Sequence, residues 1–228
     1  MTISFLPLVR KFLSEVTQKV NPSFKIKTKD KPEGLYKIVR AVVGMFNRDF
    51  DEHYITVIFG TCWVPPSFGV RSTRDQIETL AHETVHEYDR KRLTTPVFVL
   101  AYLFPQILAI LALLSILALW FGTGWLWCLG FLIFLAPIPS PGRMWIELRG
   151  YQTNMMLAKH IGKWNTEEGL RWIAEYYSRQ FTGAGYYFMW PFRKHIVKLL
   201  TTNTIKFEKR GIGKIILDWH KANGLIIP

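Results

Sequence analysis

Residues 72–90 read STRDQIETLAHETVHEYDR, and this stretch sets what the rest of the chain must be built around. Ile77, Leu80, Ala81, Val85 and Tyr88 recur at helical spacing and make one apolar face. Thr73 followed by Gln76 fits a capping-box start, so a helix over 72–90 is expected. Inside it, His82-Glu83-Thr84-Val85-His86 is an HExxH pattern. Positions i and i+4 of a helix point the same way. His82 and His86 therefore can offer two imidazole nitrogens to one Zn2+ ion at about 2.0–2.1 Å. Glu83 stands beside the ion's open position, where a carboxylate can take a proton from a bound water. With six His and eleven Glu in 228 residues, chance alone would produce this pattern in only about one shuffle in a hundred.

Immediately after this helix the chain changes character. From Leu93 to Gly142, 50 consecutive positions carry no charge. Val97 to Phe121 is nearly all apolar and exceeds the roughly 20 residues that cross a bilayer. Gly122-Thr123-Gly124 reads as a turn, and Trp125 to Ala136 is apolar again until Pro137, Pro139 and Pro141. Arg90, Lys91 and Arg92 precede the block; Arg143 and Arg149 follow it. Two apolar arms, a turn and basic feet describe a membrane helical hairpin with both flanking parts on the cytoplasmic side. The second arm is short and Pro105 should kink the first, so a re-entrant or monotopic hairpin is the alternative. Arg10 and Lys11 follow the short apolar start instead of preceding it, so no cleavable signal peptide is expected.

Outside these two features the chain reads as α+β and mainly helical. Residues 3–20 have helical spacing, packing on their own domain or lying on a membrane surface. Residues 21–34 read as a loop and Leu35 to Phe46 as a helix. Tyr54 to Phe59 is a strand that Trp63-Val64 extends. Four further helices are expected at 144–161, 166–180, 191–202 and 212–222. The layout is thus an N-terminal half (1–92) with the HExxH helix, a hairpin (93–142), and a helical C-terminal half (143–228).

The third ligand must come from elsewhere. A metzincin continuation would need Gly and His where Asp89 and Arg92 stand, which excludes that class. Glu147, in Trp145-Ile-Glu-Leu-Arg-Gly-Tyr151 just past the hairpin, is the stronger candidate, because a hairpin returns its second foot beside its first. Asp89, near His86 on the helix, is the alternative ligand or a partner for a histidine. This order of elements resembles the membrane-embedded gluzincin peptidases of the heat-shock and prenyl-protein-processing type. The resemblance rests on HETVH and on ELRGY after the hairpin, over about residues 50–160. It implies a small zincin-like metallopeptidase domain with a third-ligand Glu. In that family an ExxxD motif follows. Here Gly150 supplies the small residue before the Asp, but Tyr151 replaces the Asp itself.

These readings converge on a membrane-anchored zinc metallopeptidase. Glu83 would act as general base, His82, His86 and Glu147 as metal ligands, and a protein or peptide as substrate. Residues 54–59 would be the edge strand that an extended substrate joins. Tyr151, with Arg149, His160, Tyr186 and Tyr187, is a candidate for oxyanion stabilisation. The alternative is a membrane-associated structural or binding protein whose zinc, held by these ligands and Asp89, only braces helices. His53, His195 and His220 fit no pattern and are expected at the surface or at caps. Cys62 and Cys128 are too few for a disulfide framework.

The net charge of +12 and mean hydropathy of +0.10 suit a protein on anionic lipid. Residues 143–228 carry 14 Lys+Arg against 6 Asp+Glu. No phosphate-binding glycine loop or nucleic-acid signature accompanies them, so nucleic acid is not the expected partner.

Overall fold

The computed structural model describes residues 6–44, 50–160, 164–183 and 188–225, apart from the side chains of Val42 and His53. In chain order the helices are α1 (Pro7–Phe12), α2 (Gln18–Val20), α3 (Leu35–Gly44), α4 (Phe50–His53), α5 (Thr73–Leu93), α6 (Thr95–Leu103), α7 (Ala118–Phe121), α8 (Pro141–His160), α9 (Glu167–Thr182), α10 (Arg193–Phe207) and α11 (Gly211–Ala222). The strands are β1 (Lys25–Thr28), β2 (Thr56–Ile58) and β3 (Thr61–Val64). The chain is mainly helical with one small sheet, as expected.

Helix α5 is central. Ser72, not Thr73, caps it: the Asp75 amide donates to Ser72 Oγ at 3.1 Å, and Ser72 Oγ donates back to Asp75 at 2.7 Å. The capping box thus sits one residue earlier than the sequence suggested. Gln76 turns back instead, donating to the Arg71 carbonyl at 2.9 Å. Ile77, Leu80, Ala81 and Val85 are fully or almost fully buried against Val9, Phe12 and Val16 of the N-terminal segment. That segment, α1 and α2 joined by a π-helical turn at Leu13–Thr17, therefore packs on its own domain. Trp219 of α11 closes on it edge-to-face with Phe12, ring centroids 4.9 Å apart. The two halves on either side of the hairpin consequently share one core. His220 lies in that core at 2% exposure, bonded to the Ile216 carbonyl, and is neither a surface nor a capping residue.

The sheet differs from expectation in two places. Residues 61–64 do not extend the first strand; Phe59 and Gly60, with φ of 46° and 81°, make a two-residue turn and the chain doubles back. Such turns match strand twist but usually carry Asn-Gly, so Phe-Gly gave little signal. Lys25–Thr28, expected as loop, pairs parallel to β3. The order β1-β3-β2 leaves β2 at an edge.

Within residues 93–142 no single described helix is long and apolar enough to cross a membrane. Thr95–Leu103 and Gln106–Phe121 meet that test only as a pair, bent by 88° at the break beside Pro105. Two stretches of the block are 3-10 helix, Gln106–Leu117 and Thr123–Leu135. Its side chains are largely uncovered; Leu119 is 78% exposed and Trp127 88%. The base of the hairpin is tied together. Gly142 lies so close to α6 that a Cβ there would fall 2.2 Å from the Ala101 carbonyl oxygen. Ser140 Oγ donates to the Phe104 carbonyl, and Gln106 to that of Ile138.

Lys29, just beyond β1, is 1% exposed. Its Nζ donates to the Phe50 carbonyl at 2.9 Å and lies 3.9 Å from the Phe50 ring centroid. Burial lowers its pKa from 10.5 to about 8, with Asp51 acting the other way. Between those two values the unfolded chain holds a proton that the folded chain has lost, so this group adds stability as pH rises. Lys29→Met should therefore be more stable than wild type at pH 7. The gap should narrow by up to about 3 kcal/mol towards pH 10.5, read as paired urea midpoints across that range; a gap that widens contradicts the assignment.

Candidate metal centre

His82 and His86 occupy the face of α5 that meets α8, their rings nearly perpendicular with centroids 4.8 Å apart. Glu147, on the second turn of α8, brings Oε2 to 3.5 Å from His82 Nε2 and 3.6 Å from His86 Nε2. Ligand atoms of the three residues all lie within 4.8 Å of one another. Bonds of about 2.0–2.1 Å in a tetrahedron put neighbouring donors about 3.3–3.4 Å apart. The His–Glu separations match this within a few tenths of an ångström, so this buried group could hold a metal ion.

Three neighbours fix that geometry. Gly150, one turn past Glu147, faces His82; a Cβ there would fall 2.4 Å from Nε2 and 2.5 Å from Cε1. Only a residue without a side chain lets α8 lie this close. Tyr151 packs edge-on against His82 with centroids 4.9 Å apart, and also against Tyr177 and Phe181. Tyr102, from α6 in the hairpin, donates its hydroxyl to Glu147 Oε1 at 2.9 Å. Arg143 supports Tyr102, donating to its carbonyl at 3.1 Å with the guanidinium 5.0 Å from its ring centroid.

The electrostatics follow from burial and charge. Burial alone would raise Glu147, but the facing His86 and His82 hold it well below the usual carboxylate range. For His86, burial lowers the pKa; Glu147, then Glu83 and Asp89, more than reverse this and leave it above the ordinary imidazole value. Glu83 is raised, by burial first and by the charges of Glu147 and Glu87, against the lowering effect of His86 and His82.

These groups open onto a cleft of about 540 Å³. Glu83, Tyr102 and Arg143 line it with the three converging residues, and residues 56–59 form another wall. The other site residues read from the sequence lie elsewhere. Asp89 is not among the converging donors; it is 1% exposed and takes Arg149 Nε on Oδ2 at 2.6 Å, which also occupies Arg149. Tyr151 sits against His82 and is not a wall of the cleft. His160 ends α8, about 20 Å along the axis from Glu147, and bonds Glu208. Tyr186 and Tyr187 fall outside the described residues. Arg90 is less a free basic foot than a clasp, bonded to Glu87 and to Thr95 at the start of α6. Tyr102 and Arg143 were hidden in the hairpin reading, Tyr102 as an unremarked residue of the apolar stretch Val97–Phe121 and Arg143 as a positive foot.

No protein-family model, characterised protein or solved structure matches the chain, so its chemistry is argued from this geometry alone. Removing either support should weaken metal binding while the fold persists. Gly150→Ala must displace the His82 ring, and Tyr102→Phe removes a donor without changing shape. Each should lower Co2+ affinity about 10–100-fold in an optical titration, with circular dichroism unchanged. Wild-type affinity in both variants would refute the arrangement.

Proposed function

We propose that the chain is a membrane-anchored zinc metallopeptidase. The observation that carries this reading is one cleft in which two imidazoles and a carboxylate converge from one wall while Glu83 borders the same space. A two-nitrogen, one-oxygen set suits Zn2+ and leaves a fourth position open. A cation held there would activate a water and polarise a scissile carbonyl. The chain's own residues do the rest. His82 and His86 would hold the cation through Nε2 and Glu147 through Oε2, with Tyr102 fixing Oε1. The Glu83 carboxylate would accept a proton from water in the cleft and pass it to the leaving amine. Arg143 is the cleft donor available to a developing oxyanion, the Tyr102 hydroxyl being spent on Glu147. Among the described residues strand β2 has β3 on one side only, so its other edge would give an extended peptide main-chain partners along the cleft.

The alternative, a zinc that only braces helices, normally takes four protein ligands. Asp89, the fourth in that scheme, is committed to Arg149. For the anchor, the two 3-10 segments of 12 and 13 residues reach about 24 and 26 Å at 2.0 Å per residue. That is close to a hydrocarbon core of about 30 Å. With the sharp break at Pro105, this favours a broken or re-entrant hairpin, and its basic flanks put both termini on the cytoplasmic side.

Glu83→Gln is the decisive variant. It should retain about one metal per chain and lose peptide hydrolysis by about 10²–10⁴-fold, measured on an unfolded protein substrate in detergent. Full activity in this variant rejects the mechanism; failure of the wild type to retain metal rejects the site.

A further inference from the structure

A second cavity of about 370 Å³ lies on another side of the α5–α8 contact, between α5, α8, α10 and the start of α11. Four cationic side chains line it, Arg92, Arg149, Lys206 and Arg210, and no acidic residue does. Asp89 neutralises Arg149. Arg92, Lys206 and Arg210 form no ion pair among the described residues. Charge runs on a surface are usually just solvated, but two features aim this one at a ligand.

The first is Gln152. It borders the cavity, is 5% exposed, and its carboxamide has no hydrogen-bond partner among the described residues. With no such partner, this carboxamide is free to donate to an acceptor in the cavity. The second is the start of α11. This twelve-residue helix has no side-chain cap at Arg210, and Gly211 and Ile212 of its first turn border the cavity. Uncapped first-turn amides and the positive end of the helix dipole favour an anion. Cations, an unpartnered amide donor and a helix N-terminus together describe a receptor for phosphate oxygens.

Position identifies the source of the phosphate. Arg92 is the penultimate residue of α5, three residues before α6 begins the apolar hairpin. Trp145, 43% exposed beside the same cavity, is on the first turns of α8, where the hairpin returns. The cavity thus sits at both feet of the proposed membrane hairpin, where lipid headgroups would lie. We propose that it binds the phosphate of an anionic phospholipid headgroup.

The full chain in neutral detergent, titrated with dioctanoyl phosphatidylglycerol in a calorimeter, tests this. Saturable binding of one lipid per chain is expected, with dioctanoyl phosphatidylcholine binding much more weakly. Lys206→Gln with Arg210→Gln should weaken the anionic lipid about thirtyfold, each charge being worth about a factor of five. Both side chains are exposed, so this double variant should keep the wild-type melting temperature and metal content. Gln152→Leu should cost about tenfold. Equal affinity for the two lipids, or an unaffected double variant, overturns the proposal. Inorganic phosphate competing at the same concentration as the lipid would assign the site to free phosphate instead, and a short oligonucleotide binding more tightly than the lipid would assign it to nucleic acid. Either result overturns it too.

Discussion

The site depends on one close approach, the face of α8 at Gly150 lying directly on the His82 ring. Helix axes normally stand 8–10 Å apart, according to the side chains between them. A glycine at the contact removes that spacer, and the carboxylate one turn earlier on α8 then comes within 3.5–3.6 Å of both imidazoles. The same seam is held by the Arg149–Asp89 pair and closed on its apolar side by the shared core of Leu80, Ala81, Val85, Met156 and Leu157. The geometry of the three converging side chains and core packing are therefore not separable here. Any residue that widens the α5–α8 gap moves an imidazole away from the carboxylate.

The uncharged block between the two helices is part of the same construction. Its base is welded at Ala101–Gly142, and from there α6 carries Tyr102 to the far oxygen of Glu147. Arg143 braces that tyrosine from the returning foot. The sequence separates Tyr102 from Glu147 by 45 residues, yet a closed hairpin makes them neighbours whatever its arms contain. Substitutions near the tip can vary freely in apolar content, whereas those at the base act on the carboxylate.

Much of this was legible in the sequence. Apolar spacing and HExxH located α5, and the return of the hairpin brought Glu147 to it because a loop's two ends must meet. Three things were not legible. Strand β1 lies in a lysine-rich stretch where only Ile26 carries an apolar β signal, so its pairing with β3 is a tertiary outcome. The turn at Phe59-Gly60 lacks the usual residue at its first position, and a hairpin looked like one strand. Tyr102 was invisible for a different reason: in an apolar run a tyrosine reads as lipid-facing, and nothing local says that its hydroxyl turns inward to an acid 45 positions away.

The arrangement of polar atoms argues for a ligand more strongly than for a brace. A buried ion pair that merely joins helices gains little over apolar packing of the same volume, because desolvation offsets the attraction. Elsewhere along the seam the chain does use plain packing, and where it uses a clasp, as at Arg149–Asp89 or Arg90–Glu87, one acid faces one guanidinium at 2.6–2.7 Å. At the centre the pattern differs. Two nitrogens stand 3.5–3.6 Å from a single oxygen, too far for good hydrogen bonds and close to the spacing of donors around a shared cation. The other oxygen is already satisfied by Tyr102, so the carboxylate is oriented with Oε2 directed at the common point. Orientation of that kind, beside an open cleft and a further acid, suits a small cation between the rings.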